Sequence, residues 1–412
     1  MFRRPRRLWS RLVLLGSIIG PGIITANIDN DAGGIATYSI AGAHFGYALL
    51  WTMVPATVVL IVVQEMASRM GVVTGKGLAA LIRERFGVQV TFWLMVALLV
   101  TDLGNTTAEF AGWAASMELF GVSKYVSVPL GALFIWLLVV KGTYRAFERI
   151  FLGICVVYLT YVVAAVMAKP DWVDVVEHTL RPTLRFDAAY LSMTIGLVGT
   201  TIAPWMQFYL QSAIVEKGVR PDQYWGTRID VMVGSFMTDI VALFIMVACG
   251  ATLFHAGIRV DSAEQAAQAL TPLAGRYASL LFAAGLANAS LFSACILPLA
   301  TAFYFCEAMG WEAGVDKTFG EAPQFMGLYT GFILVGAMIV MIPRVPLIPI
   351  MWITQVINGI MLPFVLLLML KLVNDEALMK GWTNSRFQNS VAWATTWVMI
   401  ALTVGLLMSA VV

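Results

Sequence analysis

Along the 412 residues, long apolar runs alternate with short polar connections. A helix needs about 20 residues to cross roughly 30 Å of hydrocarbon. Eleven runs serve: about 12–42, 47–68, 88–118, 125–140, 150–168, 188–215, 230–254, 275–306, 325–343, 347–370 and 391–411. The pattern predicts an all-α integral membrane protein of eleven transmembrane helices in one domain. Two runs are interrupted. The first, GSIIGPGIITANIDNDAGGIATYSIAG, carries Asp29, Asn30 and Asp31 ahead of Gly33-Gly34, and this unwinding is expected to turn both acids toward one cavity. The sixth, LSMTIGLVGTTIAPWMQFYLQSAIV, is broken by Gly196, Gly199 and Pro204. Irregular backbone at membrane depth is tolerated only where protein buries it or where it lines a wet cavity.

Spans 1 and 6 head two sets of five, the arrangement of an inverted-repeat transporter whose site lies where broken helices meet. The repeats are expected at about 12–168 and 188–370, with an extra C-terminal span at 391–411. The plainer alternative is two kinked helices, since Gly and Pro are common in membrane spans. The acids in the first run argue against it.

Composition narrows the class. Hydrophobic residues make up 60% of the chain and charged residues 12%, against about half and a quarter in soluble domains. A soluble enzyme, a secreted disulfide scaffold and a nucleic-acid binder are excluded. With the N-terminus placed inside, 19 of the 26 Lys and Arg fall in cytoplasmic segments. The other seven are Lys124, Lys169, Arg181, Arg185, Arg259, Arg276 and Arg344. This bias fits the positive-inside rule, and the basic start MFRRPRRLWSR is expected to be a retained cytoplasmic anchor. Cys155, Cys249, Cys295 and Cys306 form no CxxC pair and read as buried free thiols.

Six acids fall within the spans: Asp29, Asp31, Glu65, Asp102, Glu109 and Asp239. An ionisable group at a helix centre costs at least about 2.5–3.5 kcal/mol and is a functional candidate by default. No Lys or Arg is expected at mid-depth beside them, so a bound cation is the natural partner. Asp31 is the principal candidate. Asp29 is an auxiliary ligand, a helix cap or a vestibule wall. Asn27, Asn30, Gln207, Gln355 and Asn358 offer further oxygens, which suit a hard cation. Met206 reads as core. His44, His178 and His255 fall at loops or span ends, away from any mid-membrane proton relay.

The segment GPGIITANIDNDAGGIAT resembles the Nramp family of divalent-metal transporters, whose first span carries Asp-Pro-Gly-Asn eleven residues after a Gly-Pro start. Here Asp31-Ala32-Gly33-Gly34 stands in that place. GYALLW, MASRMGVVTGKGLAALIRERFG, LQSAIVEKG and QVINGIMLPFVLLLMLKLVNDEALMKG are similar to further family segments. The resemblance covers most of residues 12–390 and implies the LeuT-type 5+5 inverted-repeat fold.

Departures from the family pattern refine what is implied. The family binds its ion with the Asp and Asn of span 1 and the Met of a Met-Pro-His stretch in span 6. This chain keeps Asp31, puts Gly34 at the Asn place, and has Ala203-Pro204-Trp205 for Met-Pro-His. A one-residue shift would bring in Met206 instead. Gln355 matches a span-10 glutamine that reaches the ion. Thr106-Thr107-Ala108-Glu109 matches the Asp-x-x-Glu pair used for proton movement with Thr for Asp, and Asp102 lies one turn earlier. The arginines usual in span 9 are absent before Arg344.

The pattern is most similar to the Nramp-related magnesium transporters, which take up Mg2+ and also Mn2+ without proton coupling. The expectation is therefore a carrier for a partly hydrated divalent ion in a wider acidic site formed by Asp31, Asp29, Gly34, Ala203, Gln207 and Gln355. It needs no cofactor beyond the transported Mg2+ or Mn2+. The chain is expected in the cytoplasmic membrane as a multi-pass monomer, with metal ion and lipid bilayer as partners and no nucleic acid. The alternative is a proton-coupled Mn2+/Fe2+ symporter. A membrane-embedded enzyme or receptor is disfavoured, because no HExxH, no Ser/His/Asp set and no soluble domain is present.

Overall fold

The computed structural model describes residues 28–141, 155–315 and 317–409. Residues 12–27, including Asn27, the start of the fifth run and the basic N-terminus, lie outside these residues. Among the described residues twelve helices lie in the spans. They are α1 (Ala32–Phe45), α2 (Met53–Thr74), α3 (Leu78–Leu119), α4 (Lys124–Val140), α5 (Leu159–Met167) and α6 (Ala188–Thr201). Then follow α7 (Pro204–Glu216), α8 (Tyr224–Cys249), α9 (Ala278–Met309), α10 (Pro323–Met341), α11 (Leu347–Val373) and α12 (Arg386–Ser409). Helices are the natural product of such runs, since in hydrocarbon each backbone N–H and C=O must be satisfied within its own segment.

Seven helical segments are long and apolar enough to cross a membrane among the described residues. The short or broken α1, α4, α5 and the α6–α7 pair occupy the remaining runs. Large apolar residues stay exposed on outward faces, among them Leu130, Val163, Phe236, Phe364 and Trp397. In water such a belt would be a liability; against lipid it costs nothing.

Boundaries depart from the apolar runs where polar residues continue a helix. The third run was expected at 88–118, and α3 begins ten residues earlier. Gly87, at φ 82 and ψ 171, divides α3 between an amphipathic start and the apolar span, a backbone geometry that only Gly adopts freely.

Both expected breaks are present, at positions slightly different from those the glycines suggest. In the first run the helix opens at Asn30 and Asp31 and restarts at Ala32, so Gly33 and Gly34 form the first helical turn. In the sixth run α6 ends at Thr201, Ile202 and Ala203 are non-helical, and Pro204 opens α7. Pro is favoured there because the first turn needs no N–H from it. Gly196 and Gly199 lie inside α6, where they let it approach α11.

The core is built around α3 and α9, which pack along much of their length, with α11 laid across α3 and α6. α8 covers α1 and α2, and α7 also packs on α2. This places the broken segments between α3, α8 and α11.

One expectation fails here. Glu65 has a cationic neighbour: Arg69, one turn later in α2, pairs with it at 3.3 Å. Glu65 also accepts from Tyr224 and from Gln388 Nε2 (2.6 Å). Arg69 in turn donates to Trp382 O (3.0 Å), Thr383 O (2.8 Å) and Asn384. The cluster lines a cavity of about 560 Å3 with Arg228 and Phe387. It ties α2 to α8 and to the segment before α12, so Glu65 is a structural acid.

Candidate functional site

The site forms where α1 begins and α6 ends. Asp31 has extended backbone (φ −69, ψ −176) and caps α1, its Oδ1 accepting from Gly34 N at 2.6 Å. An N-terminal carboxylate is favoured by the unpaired N–H groups and dipole of the first turn. Glu109 of α3 supplies a second acceptor, its Oε2 taking Ala32 N at 3.3 Å, and its carboxyl faces Asp31. Both are buried, Asp31 at 6% exposure and Glu109 at 0%. The helix end thus holds more negative charge than one cap requires, and the C-terminal carbonyl end of α6 adds partial negative charge. Such an environment favours a cation.

The sequence candidates occupy distinct places around this point. Gly34 is helical, and a Cβ there would come within 2.6 Å of Asp29 O and 3.3 Å of Thr200 Oγ1. The space expected to widen the site is therefore filled by the Asp29 carbonyl in this conformation. Ala203 is extended (φ −61, ψ 137) at the α6–α7 break. Gln207, with its amide oriented for hydrogen bonding, donates to Pro204 O and Ala203 O, each at 2.7 Å. It braces the break. Met206 is fully buried in the first turn of α7, its N–H on Ala203 O at 3.1 Å. Gln355 reaches across from α11, its amide nitrogen lying against Gly33.

From Gln355 a chain of amides runs into α3. Asn358 Nδ2 donates to Gln355 Oε1 (3.0 Å) and to Asn105 Oδ1 (2.8 Å). Asn105 Nδ2 then donates to Asp102 Oδ1 (3.2 Å). Asp102 Oδ2 accepts from Thr301 (2.9 Å) and Tyr304 of α9. Asp102 and Glu109, two turns apart on α3, thus serve different neighbours: Asp102 a fully satisfied amide and hydroxyl network, Glu109 the Asp31 cap.

Asp29 does not join the cap. It lies beside Asp239 of α8, and both oxygens of each carboxylate are buried without a hydrogen-bond donor. Tyr38 of α1 lies near both acids and Asp31, with its hydroxyl 3.0 Å from Thr201 Oγ1. Among the described residues no three His, Cys, Asp or Glu side chains converge as a metal-binding group. His44 accepts from Val260 N (3.2 Å) and His178 pairs with Asp174 (2.9 Å), both away from the break. Cys249, Cys295 and Cys306 are free and buried, as expected.

Two members of the site have contacts that the sequence did not reveal. Glu109 stood out as a buried acid, but its place against Asp31 required knowing that α3 crosses the start of α1. Tyr38 carried no signal beyond its spacing, seven residues from Asp31 on one face of α1.

Comparison with known proteins supplies the context for this geometry. The profile of natural resistance-associated macrophage protein-like (Nramp) chains matches residues 22–409. A protein of Aeromonas hydrophila named divalent metal cation transporter MntH is 30% identical over 407 residues, 95% of this chain and 94% of its own length. The MntH of Erwinia tasmaniensis is 32% identical over 286 residues, 67% of this chain and 69% of its own. Among solved structures, a manganese transporter of Eremococcus coleocola superposes with TM-score 0.79 at 22% identity, covering 99% of this chain and 88% of that one. MhsT in complex with L-phenylalanine superposes at 0.61 and 14% identity, covering 94% and 98%. These last two establish the fold, an all-helical LeuT-type arrangement with its first and sixth spans broken. With the family profile spanning nearly the whole chain, this protein belongs to the Nramp family, whose members are membrane transporters and not enzymes.

Proposed function

We propose that the protein moves divalent metal cations across the cytoplasmic membrane by alternating access, taking Mg2+ and also Mn2+ as partly hydrated ions without proton coupling. The observation that carries this reading is the donor set at the break. Asp31 offers a carboxylate at a half-helix end, while Gly34 and Ala203 bring neither amide nor sulfur to it. Mg2+ is small and hard, keeps several waters and touches few carboxylates. A soft thioether would instead favour transition metals. Asp31 is assigned as principal ligand, with Asp29 adding charge. Gln355 and Gln207 hold the surrounding backbone and waters near Gly33 and Ala203. The relatives named for divalent metals and for manganese agree with the substrate class. The N-terminus is assigned to the cytoplasmic side, and the working unit to a single chain.

An uncoupled carrier is energetically sufficient. Each charge moved through 100 mV gains about 2.3 kcal/mol, so a divalent ion gains about 4.6 kcal/mol. That supports roughly three decades of accumulation. The second reading, a proton-coupled Mn2+/Fe2+ symporter, draws on one observation: a second buried carboxyl, that of Glu109, stands beside Asp31 at the start of α1.

Proteoliposomes carrying an internal pH dye separate the two readings. The expected result is Mg2+ uptake with no acidification, and with Cd2+ competing no better than Mn2+. Acidification in proportion to uptake, with Cd2+ strongly preferred, establishes the symporter instead.

A further inference from the structure

The pair Asp29 and Asp239 is the largest unmet electrostatic demand among the described residues. Asp29 is 2% exposed and Asp239 4%. None of their four carboxylate oxygens has a donor. Thr57 Oγ1 lies within hydrogen-bonding reach of Asp239, but its one proton is directed to Met53 O at 2.8 Å. Tyr38 shares its hydroxyl with Thr201. Asn30 is 2% exposed, and its Nδ2 reaches Thr238 O (3.4 Å) and Thr238 Oγ1 (3.5 Å). Its Oδ1 is buried with no partner. The Asn30–Thr238 contact fixes the unwound segment against α8 immediately beside both acids.

The other intramembrane acids each have at least one partner. Glu65 has Arg69, Asp102 has three donors, and Asp31 and Glu109 have the first turn of α1. Two neighbouring carboxylates and the amide oxygen of the adjacent Asn30, all nine-tenths buried and without protons to accept, offer a set of hard oxygen ligands. An unpaired buried charge is retained only when something compensates it. Among the described residues no Lys, Arg or His is a charged neighbour of Asp29; Asp239 and Asp31 are.

We propose that Asp29, Asp239 and the Asn30 side-chain oxygen form a second divalent-cation station beside the Asp31 site, so that the chain holds two ions at the break. Asp29 then belongs to this station and acts on the Asp31 site through its charge. The proposal rests on the reading that the substrate is a divalent cation. It assigns Asp239, on the otherwise ordinary helix α8, a direct part in ion binding. Each ion screens the other's carboxylates, and repulsion between two like-charged ions speeds release from either station.

Equilibrium binding of 54Mn2+ to the purified full-length protein in nanodiscs, without Mg2+, tests the stoichiometry. The expected values are two ions per chain for the parent and one for Asp31→Asn. Asp29→Asn and Asp239→Asn should each bind one, and the Asp31→Asn/Asp239→Asn double variant none. Asn is isosteric with Asp and removes a charge, so the metal-free melting temperature should match or exceed the parent's. Either of Asp29→Asn and Asp239→Asn serves if the other fails to fold. One ion in the parent, kept by both of these variants and lost with Asp31→Asn, overturns the second station and leaves the proposed function standing. One ion lost in all three variants also overturns it, since a single shared site then suffices. One ion lost with Asp239→Asn but kept with Asp31→Asn overturns the two-ion arrangement, leaving Asp29 and Asp239 as the one site and removing Asp31 as principal ligand.

Discussion

Replacing Asp31 by Asn should reduce Mg2+ flux in proteoliposomes by on the order of 100-fold, which corresponds to about 2.7 kcal/mol. Two unit charges 4 Å apart attract by about 4 kcal/mol at an effective dielectric constant near 20, and a divalent ion doubles the figure. Desolvation offsets part of this, and 2.7 kcal/mol requires only a third of it to survive. Asp31 also caps α1 through Gly34 N at 2.6 Å, so two roles need separating. Asn keeps a side-chain oxygen for the cap, whereas Ala removes cap and charge together, costing about 1 kcal/mol of stability. Asp31→Asn is therefore expected to melt with or above the parent, and Asp31→Ala below it, while both lose transport. Undiminished Mg2+ uptake by a well-folded Asp31→Asn protein would sink the assignment. Loss of uptake only in the Ala variant would reduce Asp31 to a structural cap.

Much of the architecture was legible because lipid imposes one solution on an apolar run. Span number, the two breaks and the acids within the first follow from lengths and from Gly, Pro and Asp placement. The break positions were less legible. Gly33-Gly34 and Gly196/Gly199 drew attention as helix breakers, yet all four are helical. Glycine in a packed helix has a second use, allowing backbones to meet, and a single sequence does not distinguish the two. What opens the chain at Asn30-Asp31 is side-chain competition for the backbone, since Asp31 bonds Gly34 N in place of continuing the upstream turn.

The site was legible in its charges and illegible in its pairings. All six intramembrane acids were visible, but which were already satisfied depended on contacts far apart in sequence. Arg69 lay just past the expected end of the second span and was counted with the loop, although its guanidinium is buried against Glu65. Asp29 and Asp31 were expected to address one cavity because unwinding at Gly33-Gly34 would put both on one face. The structure divides them, Asp31 toward Glu109 and Asp29 toward Asp239. Helix crossing, which set those partnerships, leaves no periodic trace in the chain.

The closest approach of the broken sixth span to its neighbour gives the prediction with the largest effect on stability. At Gly199 of α6 an added Cβ would collide with Gln355 O and Gly359 N of α11, and would lie 2.8 Å from Gly359 Cα. These are backbone atoms and have no rotamer to escape into. Helix propensity alone makes Gly→Ala favourable by about 0.5–1 kcal/mol, whereas overpacking a filled contact costs about 1–3 kcal/mol. At Gly327 and Gly331 of α10 nothing lies within 4 Å of the added atom. Ala should therefore raise the melting temperature at those two positions and lower it at Gly199. Gly199→Leu should be severely destabilised, by more than about 3 kcal/mol. The same contact holds the helix that carries Gln355 against Gly33, so any Gly199→Ala protein that folds should also lose transport out of proportion to its stability. If Gly199→Leu melts with the parent, then α6 and α11 are apart in the dominant state, and the closed arrangement around Asp31 is a minor conformation of the cycle.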